Sequence, residues 1–224
     1  MHSGYEECRA DSVALYLMHY DEPYNIFFAE KQQEWDDIHY CGWLDMLWGG
    51  VRGLMYYNTE QKQWGQAHIE AAWVIFQAVR EGDPSIITFE FTKKDDKDYF
   101  IMHIDRDKLR TTGHKALSDF LSKLHTYKCL GDYETAKEFF AHYTQVDDEM
   151  LKIRDIVIAN KLPRRLELQP NLFKQDDGQI VYKDYPESFE GIIDSYCERY
   201  AGDFQKDVYD EWAKDVDHFR YPVV

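Results

Sequence analysis

Apolar residues recur at helical spacing along most of this chain, and the period switches to alternation at two places. That switch constrains the fold more than any other feature. A helical stripe repeats every three to four residues and a strand face every second one, so one segment cannot bury both patterns. Val13, Leu17 and Tyr20 place a helix over Tyr5–Tyr20, which "DEPYN" closes with Pro23. Trp35–Tyr57 is helical in pattern but carries Gly42, Gly49, Gly50 and Gly53, so it must lie against close neighbours that restore the stability glycine removes. "QWGQAHIEAAWVIFQAVREGD" is the clearest helix, with Ala67, Ala71, Val74 and Ala78 on one stripe, Arg80 in the last turn and Gly82 as the stop.

The period then changes. "SIITFEF" and "YFIMHID" alternate on either side of "TKKDDKD", which predicts a hairpin with a charged loop over Ile86–Ile104. Helices are predicted over Arg106–Leu130, over Tyr133–Thr144 with Asp132 as N-cap, and over Asp148–Lys161. A second hairpin spans Arg165–Tyr185 around "KQDDG", with Pro170 marking an edge strand or a bulge. Asp184 and Glu187 have capping-box spacing before the helix "SFEGIIDSYCERY", and a last helix runs from Phe204 to about Phe219. The fold class is mainly α (α+β). Its two expected parts are a helical portion over residues 1–162, and a β-hairpin with helices over 163–224. There is no internal repeat.

At 224 residues the chain is long enough for one large domain, or one with a small subdomain. A formal net charge of −16 argues against nucleic acid or an anionic membrane surface as partner. No apolar run reaches the roughly eighteen residues of a membrane span, and no signal peptide is expected. Cys8, Cys41, Cys129 and Cys197 form no CxxC pair, which favours reduced thiols and a cytoplasmic location.

Few residues suggest chemistry. Glu6, Glu7 and Asp11 sit at the head of the first helix, where acidic side chains favour the positive end of the helix dipole. Glu7 and Asp11 are four apart and share a face, while Glu6 points about 100° away. On that spacing one carboxylate could bind a metal while another orients a neighbouring ligand. His68 lies on an alanine-rich apolar helix, a setting that also suits a hydrogen-bonded core histidine. Arg164 and Arg165 open a strand after Pro163, where a solvated or ion-paired edge is the ordinary reading. No HExxH, GxSxG or P-loop pattern is present.

Taken together and in order, these pieces resemble the dipeptidyl peptidase III family of zinc-dependent exopeptidases. "YEECRADSVALYL" is similar to the family's second signature. "WLDML", "WGQAHIEAAWVI", "DRDKLRTTGHKALSDFLSKL" and "RRLELQPN" follow co-linearly, so the resemblance spans nearly the whole chain.

The resemblance implies that Glu7 is a zinc ligand, one of three, alongside two histidines of an HExxxH motif. A carboxylate, two imidazoles and an open position for water is a common catalytic zinc set. It implies that Glu6 and Asp11 hydrogen-bond the ligand histidines. It also implies that His68 acts on the substrate or the developing oxyanion, and that Arg164 lies near the substrate cleft. Ala72 stands where some relatives have arginine. The 224 residues hold no HExxxH, hence neither the two histidine ligands nor the glutamate general base.

The expectation is a C-terminal portion of a zinc dipeptidyl peptidase, inactive in isolation, with an oligopeptide substrate and the N-terminal part of the same enzyme as partners. The alternative is a non-catalytic helical interaction module derived from the family.

Overall fold

The computed structural model describes residues 3–161 and 170–200, together with Asp210, Ala213 and Lys214. The chain divides into two compact units, Met1–Lys161 and Leu162–Val224.

The first unit opens with α1 (Ser3–Leu17) and α2 (Asp21–Phe27), followed by a 3-10 segment, Ala29–Glu34, and α3 (Trp35–Gly53). Pro23 does not close α1. It is the third residue of α2, within the first turn, where its missing N–H has no intrahelical acceptor to lose. α3 stops at Gly53 and tightens into a 3-10 turn, Leu54–Tyr56, so Tyr57 lies outside the helix expected to include it. Tyr57–Asn58 (β1) and Gln63–Trp64 (β2) form a small antiparallel pair with no counterpart in the sequence reading. Its turn is organised by Asn58, whose side-chain oxygen accepts from the N–H groups of Glu60 and Gln61, both at 2.9 Å.

α4 (Ala67–Gly82) is the central element. Residues Ala71 to Phe76 are all buried, so this helix is covered on every side. Gln66 caps it, its side chain accepting from the Ile69 N–H at 2.7 Å. The glycines of α3 explain themselves against α4. A Cβ at Gly50 would lie 2.7 Å from the Ala72 carbonyl oxygen, and one at Gly53 would collide with Ile69 Cγ2. Glycine therefore lets the two helices approach closely, and their contact is filled by Trp43, Leu47, Val51, Trp73 and Phe76, all fully buried. Each such side chain contributes roughly 1.5–3 kcal/mol by leaving water. The indole N–H groups of Trp64 and Trp73 donate to the Thr144 and Gln145 carbonyls at 3.1 and 3.2 Å, which ties α4 and β2 to the chain beyond it.

β3 (Ile87–Lys94) and β4 (Lys97–Ile104) pair in antiparallel register from Ile87 with Ile104 to Lys94 with Lys97. The charged stretch expected as loop is mostly strand. Only Asp95 and Asp96 turn, with φ of 51° and 61°, the left-handed pair that suits a two-residue hairpin. The lysines and aspartates flanking them belong to an exposed ribbon end, where charge is solvated. Phe89 meets Phe76 of α4, which seats the ribbon on the core.

The helix expected over Arg106–Leu130 begins as one turn, α5 (Arg106–Lys108), widens to a π-helical turn over Leu109–Gly113, and continues as α6 (His114–Leu130). α7 (Tyr133–Tyr143) is capped by Asp132 as anticipated, and α8 (Asp148–Ala159) by Asp147.

In the second unit β5 (Asn171–Lys174) pairs with β6 (Ile180–Lys183), and α9 (Phe189–Arg199) follows. Pro170 immediately precedes β5, where no ladder donor is needed. Asp184 does not cap α9. Ser188 does, with Oγ accepting from the Gly191 N–H at 3.1 Å, because it alone directly precedes the first helical residue. Asn171 is buried and satisfied: its amide donates to the Tyr185 hydroxyl and the Ser195 carbonyl, both at 2.8 Å, and accepts from Arg199 at 2.7 Å. The strand portion at Arg165–Gln169, Arg164 itself and nearly all of the helix expected over Phe204–Phe219 lie outside the described residues.

Candidate active site

The candidate site is built on the first turns of α1 and α4. α1 buries Tyr5, Cys8, Ser12 and Leu15 along one stripe. The Tyr5 hydroxyl donates to the Leu124 carbonyl at 2.8 Å and pins the helix to α6. With that stripe fixed, Glu6, Glu7 and Asp11 must project elsewhere, and they divide between two directions.

Glu6 faces cations. Lys128 of α6 and Arg9 one turn on both donate to its carboxylate, Arg9 Nη2 at 3.0 Å. The Lys128 hydrogen bond, seconded by Arg9, holds the Glu6 carboxyl below the usual range. Glu7 faces α4. Its Oε2 lies 3.4 Å from His68 Nδ1, and about a third of its side chain is exposed against 60% for His68. Asp11 lies alongside. Burial pushes its carboxyl up, His68 opposes that rise and Glu7 adds to it. The structure thus brings Glu7, Asp11 and His68 together across α1 and α4, and gives Glu6 its own cation partners.

Ala72 is buried, with its carbonyl against Gly50 of α3. Arg164 lies outside the described residues.

One residue of this neighbourhood escaped the sequence reading. Glu70 is two residues beyond His68 and borders an apolar recess of about 210 Å³ shared with Tyr5 and Phe140. Burial pushes its carboxyl up to about 7. The available signal was an acid within the apolar "AHIEAAW" run, where a charged side chain is either held by a partner or kept protonated.

Two half-shielded carboxylates beside one imidazole concentrate acceptor oxygens, and a cation would relieve their mutual repulsion. The donor set therefore fits a share of a metal site. It is no more than a share, because among the described residues no three His, Cys, Asp or Glu side chains converge as a metal-holding group. No helix among the described residues is long and apolar enough to cross a membrane.

Residues 1–200 match the model of Peptidase family M49, and the chain belongs to that family. It is 34% identical over 221 residues to a dipeptidyl peptidase 3 of Nematostella vectensis, covering 98% of this chain and 30% of the relative. It is 33% identical to that of Dictyostelium discoideum and 34% identical to that of Homo sapiens, over 206 residues and 90% of this chain in both cases. The chain spans about 30% of the length of the curated relatives it matches.

Proposed function

We propose that this chain forms the acidic wall of a zinc peptidase site of the dipeptidyl peptidase III type, which releases dipeptides from the N-termini of oligopeptides. The single observation that supports this most is the meeting of Glu7, Asp11 and His68 across α1 and α4, within a chain matched to the family over residues 1–200.

In this reading Glu7 is one of three zinc ligands, and two histidines and a glutamate general base of an HExxxH motif come from a further segment of the enzyme. Bound zinc would polarise a peptide carbonyl and lower the pKa of a water. This chain's residues do the positioning. α1 presents Glu7 from a helix whose buried stripe cannot rotate without exposing Tyr5 and Cys8. Asp11 and Glu6 orient the ligand histidines, Asp11 from its partly buried place beside Glu7 and Glu6 with a carboxylate steadied by Lys128 and Arg9. His68, the more exposed of the pair, is assigned the substrate side, where it donates to the oxygen that gains charge in the transition state. Arg164 is assigned to substrate binding by the family resemblance alone.

The reading is tested by joining the 224-residue chain to an upstream segment bearing HExxxH and incubating the product with an oligopeptide of known sequence. Mass spectrometry should detect release of the N-terminal dipeptide, abolished by a chelator. Release of single residues, or cleavage within the peptide, would reject the dipeptidyl assignment.

A further inference from the structure

The motif "DRDKLRTTGHKALSDFLSKL" gives the peptidase site no functional side chain, and its histidine lies in an unusual cluster. His114, the first residue of α6, stacks on His19, just beyond α1, with ring centroids 3.7 Å apart and planes 14° apart. His39 of α3 meets the His19 ring at 6.3 Å, and Tyr16 stacks with His114 at 5.2 Å. Three imidazoles from three segments, distant in sequence, therefore share one junction.

A hydrogen bond fixes His39 as neutral, and buried ring nitrogens without a partner among the described residues disfavour a second proton on His19 and His114. Trp43 Nε1–H donates to His39 Nε2 at 3.2 Å, and an indole nitrogen can only donate. His39 Nε2 must therefore carry a lone pair; a proton there would set donor against donor inside a residue that is 2% exposed. The Ser118 hydroxyl donates to the His114 carbonyl at 2.7 Å, which leaves its oxygen to accept from His114 Nε2 at 3.4 Å. In that tautomer the lone pair is on His114 Nδ1. Both His114 Nδ1 and His19 Nδ1 are buried with no hydrogen-bond partner among the described residues.

We propose that His19, His39 and His114 form a proton-operated latch: neutral, they clamp the carboxyl-terminal end of α1 between α3 and α6; protonated, they release it.

The charges around the cluster work in the same direction. Burial lowers the proton affinity of all three rings, that of His39 to about 4, and Arg110 from the π-helical turn lowers His19 and His39 further. Asp36 at the start of α3 favours a proton on His39, but Arg106 and Arg110 both engage its carboxylate and blunt it. Asp37 is likewise held by Arg106. α2 brings Tyr24, whose hydroxyl donates to the Met18 carbonyl, Asp21, which acts on Tyr24, and Glu22, which acts on Tyr20. Tyr20 donates to Tyr16 at 2.7 Å, and a phenol, protonated near neutral pH, offers no anion to an imidazolium.

The sign follows. A histidine whose folded value lies below its unfolded value of 6.5 leaves the released state with more bound protons, so the closed state loses ground as pH falls through 6.5 and on towards 4. At pH 5.5 His39 alone would raise the opening constant about tenfold over its value above pH 7.5.

The test is amide hydrogen exchange of the 224-residue chain, corrected for intrinsic rates, at residues 15–20 between pH 7.5 and 5.5. We expect opening to rise about tenfold or more. His39→Gln keeps an oxygen for Trp43 and His114→Phe keeps a stacked ring, and the double variant should rise by less than about twofold. His142→Gln, an exposed histidine paired with Glu81, should behave as the parent. Flat exchange in the parent, or an undiminished rise in the double variant, would overturn the latch. Should the double variant not fold at pH 7.5, imidazole NMR titration of the parent decides: three rings neutral below pH 6 support it, and rings titrating near 6.5 refute it.

Discussion

The two ends of α1 set histidines in opposite surroundings. At the amino-terminal end His68 stands 3.4 Å from a carboxylate oxygen, with 60% of its side chain in solvent. At the carboxyl-terminal end His19 and His114 are pressed face to face, and His39 is sealed beneath Trp43 with a cation nearby. One end gathers negative charge on an open face; the other excludes positive charge from a closed one. The same side chain is thus poised for exchange with an external group in one place and serves as a neutral packing element in the other. The difference comes from what faces each ring, since all belong to ordinary helices or their ends.

The most severe way to break this contrast is Glu7→Ala in the chain joined to its histidine-motif segment. Removing the ligand carboxylate should abolish tight zinc binding, as read by metal content after dialysis. His68→Ala should spare zinc content and lower kcat and kcat/KM together by about 10²–10³-fold, the loss of a transition-state hydrogen bond. A variant that lost metal in proportion to activity would instead place His68 among the ligands. Glu6→Ala should weaken zinc affinity by about 10–100-fold, since in the proposed site Glu6 acts through another ligand. At the closed end the effect is smaller and carries the opposite charge logic. His39 should make the folded chain less stable by about tenfold in its folding equilibrium on acidification to pH 5.5, and His39→Gln should flatten that dependence in a urea titration repeated across pH.

The open end was far more legible in the sequence than the closed one. Glu7 and Asp11 are one helical turn apart in one short motif, so period alone puts them on a common face. The burial of the glycine-bearing helix was legible too, because a run with Gly49, Gly50 and Gly53 holds only when another helix approaches closely, and α4 does. The resemblance assigned Glu7 and His68 to one site without predicting their contact, which only the packing of α1 on α4 supplies. The histidine cluster had no sequence signal at all: residues 19, 39 and 114 join only when three segments pack. Local details were lost where neighbouring residues compete for one task. Ser188 outcompetes Asp184 as cap by position, Pro23 starts a helix instead of closing one, and Lys93, Lys94 and Lys97 extend strands that their charge suggested were loop.

The central claim is that Glu7 supplies one part of a zinc site whose other parts lie outside these 224 residues. Elemental analysis of zinc, with arylamide hydrolysis measured with and without chelator, tests it most directly. The chain alone should hold negligible zinc and show no chelator-sensitive hydrolysis of dipeptidyl arylamides, and joining the HExxxH segment should bring one zinc per molecule and activity. Stoichiometric zinc with chelator-sensitive hydrolysis in the 224 residues alone, or no zinc in the joined protein, would contradict it.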